Sequence, residues 1–157
     1  MERCPDSLKE ALDLRKQFPQ YALSFSEKNQ EGDYLVLAKL PELDLCFEDH
    51  GIFIFGLCLT LNDMEEYLEE RAVKLKDRLI SIFHQEPEKQ LLGEILFPEK
   101  TPENHSQILS ELNAALKTYD GISGRFLPFS ALYGDVSSIN LQSNEIPMYI
   151  CILRGEV

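Results

Sequence analysis

The run Gly51-Ile-Phe-Ile-Phe-Gly-Leu-Cys-Leu59 constrains the fold more than any other stretch of the chain. It is short, rich in β-branched and aromatic residues, and follows the turn-like Asp49-His50-Gly51. A strand with one wet face shows polar residues at every second position, and this one does not. It therefore reads as a strand covered on both faces. Helical periodicity begins just beyond it. Asn62 and Glu65 have the spacing of a capping box, and Met64, Leu68, Ala72, Leu75, Leu79 and Ile82 fall on one helical face. Pro87 ends that pattern. The expected scaffold is a buried strand feeding a long amphipathic helix.

The rest of the chain is read in the same way. A first helix begins at Ser7, which makes an S-x-x-E pattern with Glu10, and carries Leu8, Ala11, Leu12, Leu14 and Phe18 on its apolar side; Pro19 stops it. Tyr21–Phe25 alternates like a half-buried strand, Asn29–Asp33 is a polar turn with Gly32, and Tyr34–Leu40 returns as a second strand. These two form an expected hairpin. Leu43, Leu45 and Phe47 mark a third strand after Pro41 and Glu42. Connections this short favour an antiparallel meander, because parallel crossovers take a dozen or more residues. Glu86–Gln90 reads as a linker, and Leu91–Phe97 fits either a strand or an irregular apolar segment. Thr101-Pro102 announces a helix with Ile108, Leu109, Leu112, Ala115, Leu116 and Tyr119 as its stripe and Gly121 as its stop. Residues 125–133 fit strand or loop, Val136–Leu141 is a strand candidate, and Met148–Leu153 is a clear strand with Pro147 at its start. The expected class is α+β, an antiparallel sheet packed against two or three helices in a single domain over residues 1–157.

Composition narrows the function. The longest apolar run falls far short of the ~20 residues of a membrane span. Met-Glu-Arg-Cys-Pro-Asp at the N-terminus lacks a basic flank and an apolar core, so the expected location is the cytoplasm. Twenty-seven acidic residues against 15 basic ones give a net charge of −12, which opposes nucleic-acid binding and leaves a protein partner with a basic patch open. In the 62–84 segment the acids (Asp63, Glu65, Glu66, Glu69, Glu70) precede the bases (Arg71, Lys74, Lys76, Arg78). That order suits a helix dipole and needs no ligand.

No stretch specifies a reaction. G-x-G-x-x-G, P-loop, G-x-S-x-G and H-E-x-x-H patterns are all absent. Cys4, Cys46, Cys58 and Cys151 are scattered without a C-x-x-C pair, so free thiols are expected and a metal site is not. Cys58 and Cys151 fall in apolar strands, where a thiol is inert. A nucleophile would have to combine Cys46 or Cys58 with His50, His84 or His105. Glu48–Asp49 is a candidate acid/base pair, and Arg125 a candidate anion contact. No catalytic, cofactor-binding or metal-ligating residue is assigned, and no cofactor is expected.

Gly51–Leu59 leading into Asn62–Phe83, then Asp120-Gly121 with Gly124-Arg125 and the closing strand Met148–Leu153, resembles the PsbP-like fold family, named for an extrinsic subunit of photosystem II. The resemblance covers residues 20–153. The helix, sheet, helix order in a small acidic chain is also similar to class I type III secretion chaperones. Both families end in a helix where this chain has a strong strand. Both resemblances imply an accessory or protein-binding role without catalytic residues. The expectation is a non-enzymatic binding or accessory protein; the alternative is a small cytosolic enzyme with a Cys or carboxylate nucleophile.

Overall fold

The computed structural model describes residues 1–26, 32–83, 89–96, 114–128, 141 and 144–153. Ser7 starts helix α1 (Leu8–Gln17) in extended backbone, its hydroxyl accepting the N–H of Glu10 at 3.2 Å. A second cap comes from far along the chain. Glu42, in a 3-10 turn at Pro41–Leu43, accepts the Leu8 N–H at 2.9 Å and so sets a carboxylate at the positive end of α1.

Strands β1 (Glu2–Arg3), β2 (Ala22–Ser24) and β3 (Tyr34–Val36) form a parallel sheet in the order β1–β3–β2. This corrects the expected hairpin: Ala22, Leu23 and Ser24 pair with Tyr34, Leu35 and Val36 in the same direction. Alternation of apolar residues fixes which face of a strand is buried, not which way the strand runs. The remaining strands are β4 (Cys46–Asp49), β5 (Ile52–Gly56), β6 (Ala115–Tyr119), β7 (Phe126–Pro128) and β8 (Ile146–Leu153). They make an antiparallel sheet ordered β4–β5–β8–β6–β7. The α+β class thus holds, with a parallel sheet that the sequence did not suggest. His50 and Gly51, both at positive φ (50° and 78°), make the tight β4–β5 turn.

Two helical expectations change. The continuous 62–84 helix is two helices, α2 (Leu61–Glu69) and α3 (Val73–Phe83). Its cap is Thr60, whose hydroxyl accepts the Asp63 N–H at 3.1 Å, while Asn62 reaches Glu66 instead. The break has a local cause. In a continuing helix the Tyr67 carbonyl would take the Arg71 N–H; here it accepts the Arg71 guanidinium at 3.0 Å, and that N–H turns to Leu68. Like charges four apart (Glu65–Glu69, Glu66–Glu70) weaken the same turn. Secondly, Ala115–Tyr119, expected as the end of a helix, is β6. Ala114, Leu116 and Thr118 are buried while Ala115, Lys117 and Tyr119 are half-buried, which is the period of a strand. Leu91 makes an isolated bridge to Thr60 and then opens a short helix α4 (Leu92–Leu96). Pro87, most of the 86–90 linker, the Ile82 side chain, the helix start at Thr101 and residues 136–140 lie outside the described residues.

Phe53 and Phe55 of β5 are fully buried beneath α2, each meeting the Tyr67 ring edge-on at 6.1 Å. The strand's other face is only half-covered: Ile52 and Ile54 are partly exposed, and Phe47, paired with Ile54, is 41% exposed. This corrects the two-sided burial read from the sequence, where isoleucines on an open face look the same as isoleucines in a core. Phe55→Ala should cost about 3–5 kcal/mol in urea melts, and Thr60→Ala about 1 kcal/mol. A Phe55→Ala loss below ~1 kcal/mol would contradict this packing.

Candidate functional site

Among the described residues, no Cys–His pair assembles. Cys58 is 5% exposed, and its Sγ donates to the Leu37 carbonyl at 2.9 Å. Burial pushes its thiol up to about 11, and does the same for Cys151. Cys46 is half-buried and raised by burial as well, against the lowering influence of Arg71. His50 is exposed at the β-turn and contacts the Asp49 carboxylate instead of a thiol. Glu48 and Asp49 are both exposed on β4. His84 and His105 lie outside the described residues. Among the described residues no group of three metal-ligating side chains occurs, and no helix is long and apolar enough to cross a membrane.

Among the described residues, charge is buried at one place, which links α1 to β6 and to the starts of β7 and β8. Glu145 is 2% exposed. Its carboxylate accepts from Thr118 Oγ1 at 2.9 Å and from Arg125 Nε at 3.1 Å, and it also meets Arg125 Nη2. Its carbonyl accepts from Arg15 Nε at 3.1 Å. Arg15 also donates to the carbonyls of Pro19 and Tyr21. Burial lowers the Arg15 pKa, with Glu145 opposing that shift; the hydrogen bond to Glu145 raises that of Arg125. The anion that Arg125 engages is therefore internal.

A second place was not singled out from the sequence at all. Phe25 and Leu37, which follow the carboxyl ends of β2 and β3, run into the backbone beyond β5 and the start of α4. Phe25 is 2% exposed and lies on Gly93 so closely that a Cβ there would stand 2.3 Å from its ring. Leu92 N–H donates to the Leu59 carbonyl at 2.9 Å and Gly93 N–H to the Leu57 carbonyl at 2.8 Å. The signal was present in the sequence as an isolated glycine within Leu91–Phe97, which marks close backbone approach. Elsewhere, α1 and the end of β6 line an open groove of about 310 Å³ with Leu8, Lys9, Leu12, Asp13, Lys16 and Tyr119. Its walls are polar and apolar in similar measure, and none of the candidates above reaches it.

No family model matches the chain, and no curated protein matches it. Solved structures do. A chain of quinoline 2-oxidoreductase from Pseudomonas putida 86 matches with a TM-score of 0.76 at 17% identity, over 97% of this chain and 58% of that one. A chain of carbon monoxide dehydrogenase from Hydrogenophaga pseudoflava, in a form lacking the Mo-pyranopterin moiety of its molybdenum cofactor, gives 0.74 and 18% over the same shares of 97% and 58%. Reconstituted CO dehydrogenase from Oligotropha carboxidovorans gives 0.76 and 16%, again over 97% and 58%. This chain thus spans 58% of the length of the chains it matches, and at such identities the likeness is one of fold. It corrects the PsbP-like and secretion-chaperone resemblances, which rested on patterns of residue type that other sheets with the same burial share. The non-enzymatic binding or accessory role inferred from those resemblances falls with them, and among the described residues the lone Cys or carboxylate nucleophile finds no assembled site. The fold is that of chains found in oxidoreductases.

Two outcomes test this description of the chain's ionisable groups. Cys58 and Cys151 should resist alkylation at pH 8 until the protein unfolds. Because their folded pKa values lie near 11 instead of 9.0, the folded state keeps protons that the unfolded state releases between those values. Stability is then full below pH 9 and falls as pH rises through 11, by roughly 2 kcal/mol per thiol. Urea melts across that range should show a shallower fall once both are replaced by alanine. Arg125→Ala, which removes a part-exposed guanidinium from a buried carboxylate that keeps its Thr118 bond, should cost about 1–3 kcal/mol, and Arg125→Lys should recover part of it.

Proposed function

We propose that this chain is a component of an oxidoreductase, a domain that works inside a multi-subunit redox enzyme and not alone. The observation that carries the reading is the fold: 97% of the chain follows chains of quinoline 2-oxidoreductase and carbon monoxide dehydrogenase. One feature favours a component over a self-sufficient enzyme: the described residues bring no nucleophile, base and oxyanion donor together. An acid excess of net −12 favours a partner chain that presents a basic surface. Four cysteines left as free thiols favour the cytosol.

The reading is tested by isolating the tagged chain from its native cell at low salt. Other chains should accompany it, the isolate should reduce an artificial electron acceptor, and flavin or molybdenum should appear on analysis. A chain that isolates alone, without redox activity or a redox cofactor, overturns the reading.

A further inference from the structure

A redox enzyme needs an electron carrier. Open parallel sheets take a flavin or nicotinamide dinucleotide at the carboxyl ends of their strands. The diphosphate then lies on a glycine-rich turn whose backbone N–H groups point at it and whose missing Cβ atoms let it approach. We infer that this chain holds no dinucleotide at that position, because Phe25 fills the approach and, among the described residues, the Leu91–Ile95 amides beside it are bonded within the protein. The inference rests on the oxidoreductase reading and deepens it: the carrier belongs to another part of the assembly.

The room left by Gly93 is taken by an aromatic ring, not by solvent, since a Cβ at that position would lie 2.3, 2.4 and 2.7 Å from three atoms of Phe25. The surroundings are hydrocarbon: Leu37, Leu57 and Leu92 are 0% exposed, and Ile95 and Leu96 are 2% exposed. Every amide from Leu91 to Ile95 is engaged. Leu91 N–H donates to the Glu94 carboxylate at 3.3 Å, Leu92 and Gly93 donate to Leu59 and Leu57, and Glu94 and Ile95 donate to the Leu91 carbonyl at 3.0 and 3.2 Å. Glu94 therefore places negative charge where a diphosphate would need positive charge. Two buried polar atoms lack a hydrogen bond among the described residues, Arg3 Nε and Gln90 Oε1. Neither makes an anion site, because Gln90 Oε1 is an acceptor and the Arg3 guanidinium lies over the Phe18 ring at 4.4 Å.

The test uses the whole chain purified alone, shown to be folded by a cooperative melt, then mixed with excess FAD, FMN or NADH and passed through a sizing column. The expected result is that all three elute free, with no flavin absorbance under the protein peak. Stoichiometric retention of flavin or nicotinamide overturns the inference and leaves the oxidoreductase reading intact. The reverse outcome is distinguishable: no carrier on the isolated chain and none in the native isolate sinks the oxidoreductase reading, while the closed junction stands. If the chain does not fold alone, amide hydrogen exchange on the native isolate decides. Leu92 and Gly93 should be equally protected with and without added flavin, and protection that appears only with flavin overturns the inference.

Discussion

The backbone of Leu57-Cys58-Leu59 holds the two sheets and α4 in one arrangement. Leu57 N–H donates to Met148 and Cys58 N–H to Leu43, both at 3.0 Å, while the carbonyls of Leu57 and Leu59 accept from Gly93 and Leu92. The Cys58 thiol adds a bond to Leu37, just past β3. All three side chains are at most 5% exposed, so a bond broken here finds no water in exchange. An unmade buried bond costs about 1–3 kcal/mol, which makes the set form or fail together. Gly56 permits the whole arrangement: a Cβ on it would stand 1.9 Å from the Leu43 carbonyl oxygen. The two glycines, Gly56 and Gly93, serve close approach between segments and not flexibility.

What could be read from the sequence follows from how local its cause is. The Ser7 cap, the strand expected at Gly51–Leu59 and the closing strand each depend on neighbours within a few residues; the cap and the closing strand are present, and the middle strand is shorter, Ile52–Gly56. Strand direction was not legible, because Tyr21–Phe25 and Tyr34–Leu40 show the same alternation in either sense. Ala115, Leu116 and Tyr119 satisfy helical and strand spacing at once, and only pairing with β8 decides between them. The site features were the least legible. Glu145 meets Thr118, Arg125 and Arg15, which lie 27, 20 and 130 residues away. Phe25 against Gly93 is a contact of the same kind, invisible until the fold brings together residues 68 positions apart.

The Glu145 carboxylate, with Arg15 and Arg125, and the Phe25–Gly93 contact are each closed from within the chain, one by ion pairing and one by an aromatic ring. Buried ion pairs fix an arrangement more than they add stability.

Strand β8 sits at the centre of the antiparallel sheet, between β5 and β6, although it follows every other strand along the chain. Its pairings join residues 52–56 to 149–153, a separation of nearly a hundred positions that makes closure slow. During synthesis, β5 and β6 each present an unpaired edge until residue 153 has left the ribosome. Between the making of β5 and that of β8, the sheet therefore has an open edge at which a foreign strand can pair.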